Sequence, residues 1–220
     1  MATSVRTAAP DERGQSLQEM AKRHLWMHFT RHGAFDGAEV PIIVRGEGAY
    51  VWDEHGNRYL DGLSALFCVN IGHGRADIAQ AGADQAKELG FFTNWSYAHP
   101  PAIELAAKIA SLAPGDLNRV FFTSGGSESV ESAIKLVRQY HKLTGNPNKT
   151  KIISRETAYH GTTLGAIAAT GIPDARRPFE PLFPGSAHVP NTNAYRPEHP
   201  DPAEAIRERI EWEGPETSAA

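Results

Sequence analysis

Residues 119–128 read Arg-Val-Phe-Phe-Thr-Ser-Gly-Gly-Ser-Glu, and this stretch decides the fold. Residues 119–123 are apolar in the middle, which is typical of a short buried strand. A tight turn at 124–126 follows, and apolar residues at helical spacing predict a helix over 127–143. A strand, a glycine turn and a helix in this order predict one unit of an α/β fold with a parallel sheet.

The segments on either side extend this prediction. Downstream we predict a strand at 151–154, a helix at 162–170, an irregular proline-rich segment at 171–202 and a helix at 203–212. Upstream we predict helices at 17–31, 77–89 and 100–112, short strands at 42–44, 49–52 and 58–60, and extended chain at 63–69. Only two parallel strands are predicted, and two strands do not make a covered α/β sheet. We therefore expect a longer parent chain or missing partner segments.

The composition excludes several classes of protein. Of the 220 residues, 40% are hydrophobic and 22% are charged, which is ordinary for a globular protein and excludes a wholly disordered chain. The net charge of −4 gives no sign of a nucleic-acid partner or of an anionic membrane surface. No apolar run approaches the roughly 20 residues of a membrane span, and residues 1–13 contain no secretory signal.

Cysteine and histidine bound the chemistry further. Cys68 is the single cysteine, so an internal disulfide and a cysteine-based zinc site are excluded. A lone thiol fits a reducing compartment, and we expect a cytoplasmic protein with Cys68 as an inert buried thiol. His24, His28 and His32 are spaced i, i+4, i+8, within and just beyond the end of the predicted first helix. That spacing suits a metal site, but no acidic ligand accompanies them, so a plain helix face is favoured and no metal is predicted.

The turn at 124–127 is a candidate anion site. A helix N-terminus exposes unpaired N–H groups and carries partial positive charge. Gly125 and Gly126 would let a phosphate approach the backbone, and Ser127 adds a hydroxyl donor. An ordinary glycine turn with a serine cap fits the same residues equally well. The pattern is neither a P-loop nor the Gly-x-Gly-x-x-Gly dinucleotide fingerprint.

A second candidate, Tyr159-His160-Gly161, follows the next predicted strand. The carboxyl ends of neighbouring strands in an open α/β sheet face one crevice, so this turn and the turn at 124–127 would share it. Tyr159 could stack there on a planar ligand, although a capped loop with a half-buried tyrosine also fits. The aromatic residues at 91–97 are either core filler or the lining of a pocket or interface.

Five motifs in one order resemble the class III aminotransferases, the pyridoxal-phosphate (PLP) enzymes of fold type I. They are Gly-Ala-Tyr-Val-Trp-Asp at 48–53 with Asn-Arg-Tyr-Leu-Asp at 57–61, Asn-Ile-Gly-His-Gly at 70–74, His99-Pro100, the turn at 124–128 and the turn at 159–161. The resemblance runs from about Trp26 to Ala220. Within the family, Leu-Phe-Cys-Val-Asn at 66–70 and Gly-His-Gly-Arg at 72–75 are most similar to the ω-amine:pyruvate transaminases.

The resemblance implies a role for each site residue. The turn of Ser124, Gly125, Gly126 and Ser127 matches the segment that binds the PLP phosphate, with Gly126 and Ser127 at the binding positions. Tyr159 matches the aromatic residue that stacks on the pyridine ring, and His160 and Gly161 lie beside it. Phe67, Trp95 and Tyr159 match positions that line the substrate pocket. Gly125 and Ser124 depart from the usual Ser and Asn of the family, so side-chain contacts are not carried over to these two positions.

The resemblance also implies the architecture, an α/β protein of PLP fold type I. Residues 1–14 would be a flexible tail, 15–74 the N-terminal part of the small α+β domain, and 75–220 the first part of the large PLP-binding domain with a mainly parallel sheet. The Schiff-base lysine, the aspartate that pairs with the pyridinium nitrogen and the carboxylate-binding arginine are expected beyond Ala220. No catalytic residue is therefore predicted within this chain. The loop at 91–95 typically reaches the partner subunit's site, which implies a homodimer with a shared active site.

The implied reaction moves an amino group from an amine or ω-amino acid to a keto acid such as pyruvate, by a ping-pong mechanism. The isolated 220 residues are expected to be inactive. Three alternatives remain open at this point. The chain could come from a PLP-dependent aminomutase of the same fold, or act as a non-catalytic binder of a phosphate ligand, or pair as a regulatory fragment with a longer subunit.

Overall fold

The computed structural model describes residues 16–220, which form two compact units that divide between His99 and Pro100. The flexible tail predicted at 1–14 lies outside the described residues. No helix within 16–220 is both long enough and apolar enough to cross a membrane.

The first unit begins with a short helix, α1 (Leu17–His24), which is shorter than the helix predicted over 17–31. A capping box fixes its start, because Ser16 and Glu19 each accept the other's backbone N–H. The helix ends at His24 because none of its residues is buried, so no packing extends it past that first stretch. His28 and His32 consequently do not share a helix face with His24. Within 16–220 no three His, Cys, Asp or Glu side chains are placed to hold a metal ion.

Three strands follow, as the sequence predicts. They form an antiparallel sheet in the order β1 (Ile43–Glu47), β2 (Tyr50–Asp53) and β3 (Arg58–Leu60). Glu47 lies opposite Tyr50 and Trp52 lies opposite Arg58. The turn between β1 and β2 needs Gly48, whose φ is +55°.

A buried carboxylate holds the turn between β2 and β3. Asp53 accepts hydrogen bonds from the backbone N–H groups of His55 at 3.0 Å and Asn57 at 2.8 Å. Its second oxygen accepts from the Asn57 side chain at 3.0 Å and from the Tyr59 hydroxyl at 2.8 Å. The Asn57 side chain contributes most to lowering the pKa of Asp53 from its ordinary 3.8 to about 2, and the donors together outweigh the opposing effect of burial.

The prediction of extended chain at 63–69 is wrong. Residues Ser64–Phe67 form a single helical turn, α2, and all four have positive φ, between 47° and 67°. None of them is glycine, and a left-handed conformation costs roughly 1–2 kcal/mol per residue because Cβ crowds the following carbonyl oxygen. An apolar sequence pattern cannot show such a turn, because the tertiary contacts that stabilise it come from outside the segment. The first unit continues with α3 (Ala76–Leu89), close to the predicted 77–89.

The second unit contains the helices that the sequence predicts. They are α4 (Pro100–Leu112), α5 (Gly126–Leu143), α6 (Leu164–Ala169) and α8 (Pro202–Glu213). Strand β4 (Ile152–Arg155) pairs in parallel with β5 (Ser186–Val189), and α6 and α8 both pack against this pair.

Part of the segment predicted to be irregular at 171–202 is ordered. It contains a short helix, α7 (Pro173–Arg176), a 3₁₀ turn (Arg177–Phe179) and β5 itself. The strand was missed because it has only four residues, and prolines at 184 and 190 lie close on either side. Its two buried residues, Ala187 and Val189, show that β5 belongs to the core.

The strand predicted at 119–123 is absent from the structure. A strand needs a partner, and both edges of β4 are already occupied. The Ile152 N–H donates to Gly185 beside β5 at 2.7 Å, while the Ile153 N–H donates to Ala220 on the other side at 2.7 Å. Residues 119–123 pair with no strand within 16–220, and Phe121 is 81% exposed.

The core of the second unit is small and lies around α6. Seven of its hydrophobic side chains are buried, and they are Ala166, Ile167, Ala168, Ala169, Ala187, Val189 and Ala205, while Val40 is buried in the first unit. Thr170, directly after α6, is fully buried with them. The Ser154 hydroxyl of β4 donates to the Ala169 carbonyl at 2.5 Å, which links the strand to the helix. The small side chains of α6 let it pack closely against β4, β5 and α5.

We expect Asp53→Asn to lower the free energy of unfolding of the full-length protein, because an amide nitrogen cannot accept from Asn57 and Tyr59. The native pKa is depressed to about 2, so the contribution of this carboxylate is present above its ordinary pKa and is lost as the pH falls through about 2. Urea unfolding from pH 2 to about pH 7 should show a deficit that is complete near pH 5 and shrinks below pH 4. The exposed Asp116→Asn is the control, and a deficit that is constant with pH would contradict the argument.

Candidate functional site

The N-terminus of α5 is open. Gly125 precedes the helix without a side-chain cap, and the first intrahelical bond runs from Ser129 N–H to the Gly125 carbonyl at 3.0 Å. The N–H groups of Gly126, Ser127 and Glu128 precede that bond, so they have no acceptor within the helix. A Cβ placed on Gly125 or Gly126 would meet no atom within 4 Å. These donors and this open space fit an anion.

Three side chains fix the backbone of this turn without using those first-turn donors. The Glu128 carboxylate accepts the Ser124 N–H at 2.8 Å. The hydroxyls of Thr123 and Ser129 lie 2.5 Å apart, and both are within 3.2 Å of the Gly125 carbonyl. These hydrogen bonds therefore fix the conformation of the turn at 124–127 and leave the first N–H groups of α5 unused.

Ser127 connects this turn to the segment after β4. Its hydroxyl oxygen accepts the Thr162 N–H at 3.0 Å, which leaves the hydroxyl proton free to be donated elsewhere. Gly161 lies directly against it, with a φ of +137° that only glycine adopts readily. A Cβ at Gly161 would lie 2.5 Å from the Ser127 hydroxyl and 2.8 Å from the Ala166 side chain. The structure thus brings the two predicted turns into contact.

Glu131 makes a second connection one helical turn further along α5. Its carboxylate accepts the N–H of Gly165 at 2.7 Å and the N–H of Ala166 at 3.3 Å, at the start of α6. Burial acts to raise the pKa of Glu131, but these bonds and one from the Thr163 side chain outweigh it and lower the pKa. The carboxylate is therefore ionised at neutral pH.

The segment 159–161 presents an aromatic ring on a fixed backbone. The His160 N–H donates to the buried Thr170 hydroxyl at 3.0 Å, and that oxygen lies 3.3 Å from the Gly161 carbonyl. The ring of Tyr159 remains 56% exposed. A rigid loop with an exposed ring beside an anion site suits a planar ligand that carries an anionic group.

Phe67 and Trp95 belong to the first unit, whereas the other predicted site residues belong to the second. Phe67 is 68% exposed at the end of the left-handed turn α2. Trp95 is 84% exposed in a segment where the rings of Phe92 and Tyr97 stack edge to face, 5.2 Å apart.

A carboxylate and an imidazole lie under α2. Both oxygens of Asp61 accept the Ala65 N–H, at 3.0 Å and 2.8 Å. The Asp61 carboxylate also lies 2.8 Å from Nε2 of His73. This contact, with the backbone bond from Ala65, keeps the pKa of Asp61 below its ordinary value. Because the carboxylate is ionised, the imidazole must be the donor.

Sequence reasoning missed Glu131 and Thr170, and placed Cys68 wrongly. Glu131 reads as the exposed partner of Lys135, four residues later, but it turns toward α6 instead. Its position four residues after Ser127 was an available signal, because residues at that spacing share one helix face. Thr170 gives no local signal, since only its burial reveals it. Cys68, expected to be buried, is exposed.

The comparisons with known proteins agree with this geometry. The family model described as Aminotransferase class-III matches residues 35–219. A probable aminotransferase of Mycobacterium tuberculosis is 56% identical over 217 residues, which are 95% of this chain and 46% of that protein. An omega-amino acid–pyruvate aminotransferase of Pseudomonas putida is 37% identical over an aligned region that makes up 84% of this chain and 42% of that protein.

The solved structures give the same answer. The omega transaminase of Pseudomonas jessenii in complex with PMP superposes with a TM-score of 0.89 at 33% identity, over 94% of this chain and 48% of that one. The predicted α/β architecture of PLP fold type I is therefore confirmed. The chain spans about half the length of the relatives that it matches.

We expect Gly161→Ala to destabilise the full-length protein by about 2–3 kcal/mol, because the added methyl group collides with Ser127 and the positive φ disfavours a side chain. Thermal and urea unfolding measure the loss. Gly82→Ala in α3 is the matched control, since its Cβ meets nothing within 4 Å and a helical alanine should stabilise by roughly 0.5–1 kcal/mol. Equal effects of the two substitutions would show that the contact between Gly161 and Ser127 is not tight.

Proposed function

The chain belongs to the class-III aminotransferase family, and from this premise we propose that its protein transfers an amino group from an amine or ω-amino acid to a keto acid such as pyruvate, by a ping-pong mechanism. Members of this family depend on PLP. The observation that carries the proposal is the open N-terminus of α5, which lies in contact with the loop that presents Tyr159. The P. putida relative, an omega-amino acid–pyruvate aminotransferase by name, supports the choice of substrates.

In this proposal, the turn of Ser124, Gly125, Gly126 and Ser127 binds the phosphate of PLP. The backbone N–H groups of the first turn donate to the phosphate oxygens, and the Ser127 hydroxyl adds its proton. The partial positive charge of the helix end contributes about 0.3–1 kcal/mol, and up to about 2 kcal/mol where the site is partly buried. The glycines keep Cβ atoms out of the space that the phosphate needs.

The ring of the cofactor has a matching surface. Tyr159, held by the loop with His160 and Gly161, offers an exposed aromatic face for stacking. When bound, PLP would supply a carbonyl carbon that can carry the amino group and a ring that withdraws electrons. By the family resemblance, Phe67, Trp95 and Tyr159 correspond to positions that line the substrate pocket.

In this proposal, the chain forms parts of two domains and lacks the catalytic lysine. Residues 15–74 form the N-terminal part of the small domain, and 75–220 the first part of the large domain. The Schiff-base lysine lies beyond Ala220, so a purified chain of residues 1–220 does not turn over an amine.

The exposed rings of Phe91 and Trp95, which are 83% and 84% accessible, support a homodimer whose subunits share their sites. The protein works in the cytoplasm.

The first test is to follow the two half-reactions in the full-length protein from its native source. Adding an ω-amino acid alone should change the absorbance of the bound cofactor, and adding pyruvate should restore it. Borohydride reduction should leave one phosphopyridoxyl group per chain in the intact mass. Turnover without any keto acid would identify an aminomutase instead. No adduct on a chain of 220 residues would identify a non-catalytic binder.

We expect Ser127→Ala to weaken PLP binding about tenfold, because one charge-assisted hydrogen bond to the phosphate is lost. Binding of pyridoxal, which has no phosphate, should change much less. Titration of the apo protein with each compound gives the comparison, and Ser132→Ala on the same helix is the control. An equal loss for both compounds would place the effect on folding, and no loss for PLP would remove Ser127 from the phosphate site.

A further inference from the structure

We propose that Glu131 is a positioning residue for the phosphate of the cofactor, because it fixes the loop whose backbone directs the Ser127 hydroxyl. The inference rests on the proposed function, in which Ser127 donates to that phosphate. Glu131 does not touch the phosphate in this arrangement. It acts through the start of α6 and through Thr162, whose N–H group binds Ser127.

Helix α6 begins without a cap of its own. Thr163 precedes its first turn, and the Thr163 side chain makes no hydrogen bond to the backbone of that turn. The N–H groups of Gly165 and Ala166, at the second and third positions of the helix, are those that such a side chain normally satisfies. Glu131 of α5 takes this role, since one oxygen of its carboxylate accepts both. A helix of only six residues is marginal without such contacts.

The carboxylate lies directly against the end of α6. A Cβ at Gly165 would approach Oε2 of Glu131 to 2.6 Å, so a side chain at position 165 would displace the carboxylate. The Thr163 side chain also hydrogen-bonds to Glu131, which is half-buried. Burial opposes ionisation of Glu131, but these bonds lower its pKa all the same, so the group is a carboxylate at neutral pH.

The loop at 162–166 is thus bound to α5 at two points, one helical turn apart. Ser127 accepts the Thr162 N–H at 3.0 Å, and Glu131 accepts from the residues that follow. Residues four apart lie on the same helix face, so both side chains meet the loop from one side. Glu131 therefore keeps the loop at the distance from α5 at which Thr162 reaches Ser127.

The bond from Thr162 decides what the Ser127 hydroxyl can do. A hydroxyl that accepts an N–H group on one side still has its own proton to donate elsewhere. Without that bond, a serine hydroxyl can turn to neighbouring backbone groups, and its proton is then no longer available to the phosphate. Loss of Glu131 should consequently weaken phosphate binding, although it removes a negative charge that by itself would oppose the phosphate.

The experiment titrates the full-length apo protein with PLP and with pyridoxal, which lacks the phosphate. We expect Glu131→Ala to reduce the preference for PLP, measured as the ratio of the two dissociation constants, about fivefold. In the Ser127→Ala background the same substitution should change that ratio by less than about twofold, because both residues act through one hydrogen bond to the phosphate. Glu104→Ala, which removes an exposed carboxylate of α4, is the control.

Two further variants separate positioning from charge and from helix propensity. Glu131→Gln loses the charge but keeps an amide oxygen that can accept from Gly165 and Ala166, so its ratio should stay within about twofold of the wild type. Gly165→Ala keeps the charge but displaces the carboxylate, so it should lower the ratio about as much as Glu131→Ala. Alanine is the better helix former, so a loss in Gly165→Ala is not a loss of helix propensity.

A third readout needs no ligand. Hydrogen exchange of the apo protein should show the Thr162 amide exchanging at least about tenfold faster in Glu131→Ala and in Gly165→Ala than in the wild type. The same amide should be unchanged in Glu104→Ala. Should Glu131→Ala fail to fold, Gly165→Ala carries both comparisons.

The outcomes separate the two proposals. A wild type that prefers PLP, with the same preference in Glu131→Ala and Gly165→Ala, overturns the inference and leaves the proposed function standing. An equal loss of preference with and without Ser127 also overturns it, because Glu131 would then act independently of that hydroxyl. A full-length wild type that neither prefers PLP to pyridoxal nor transfers an amino group overturns the proposed function, and the inference with it.

Discussion

The second unit depends on one close contact, that of Gly161 with the Ser127 hydroxyl. A side chain at position 161 would have to occupy space 2.5 Å from that oxygen. The contact lets the first turn of α5 and the loop after β4 share a hydrogen bond, from the Thr162 N–H to Ser127. The uncapped N-terminus of α5 and the exposed ring of Tyr159 consequently lie on neighbouring segments that are in contact. Neither would recognise a phosphorylated planar ligand alone, since one binds charge and the other binds a ring face.

The parts of this arrangement that sequence could predict are those with local causes. Helix α5 has a helical apolar period along its whole length, and its glycine turn marks an open N-terminus, so both were predictable. The structure has no strand at 119–123, although the sequence predicts one. Apolar composition shows that a segment can be buried, but it does not show whether another strand is there to pair with it. Strand β5 was missed for the opposite reason. It has only four residues close to prolines, which is too short for a recognisable alternation of apolar and polar residues. Contacts between distant segments decide both cases.

The turn at 124–127 of the second unit and the turn α2 of the first unit differ in how the backbone is used. The turn at 124–127 uses backbone N–H donors that the N-terminus of any helix has, so glycine and serine are sufficient there. The turn α2 instead forces four residues with side chains into a glycine-like conformation. It therefore needs Asp61 and His73, which come from outside the apolar run that sequence analysis reads as extended. A prediction from the apolar pattern finds the first kind of turn and misses the second.

The carboxylates near the anion site pose an electrostatic question, because two acidic side chains lie on the first two turns of α5. Glu131 is ionised, and in isolation its charge would oppose a phosphate nearby. It is directed instead at the N–H groups that open α6, which satisfy the charge. Glu128 is likewise bound to the Ser124 N–H behind the turn. The N-termini of α5 and α6 are therefore neighbours whose backbone N–H groups are treated differently. The Glu131 carboxylate satisfies N–H groups at the start of α6, whereas the first N–H groups of α5 have no acceptor within their own helix.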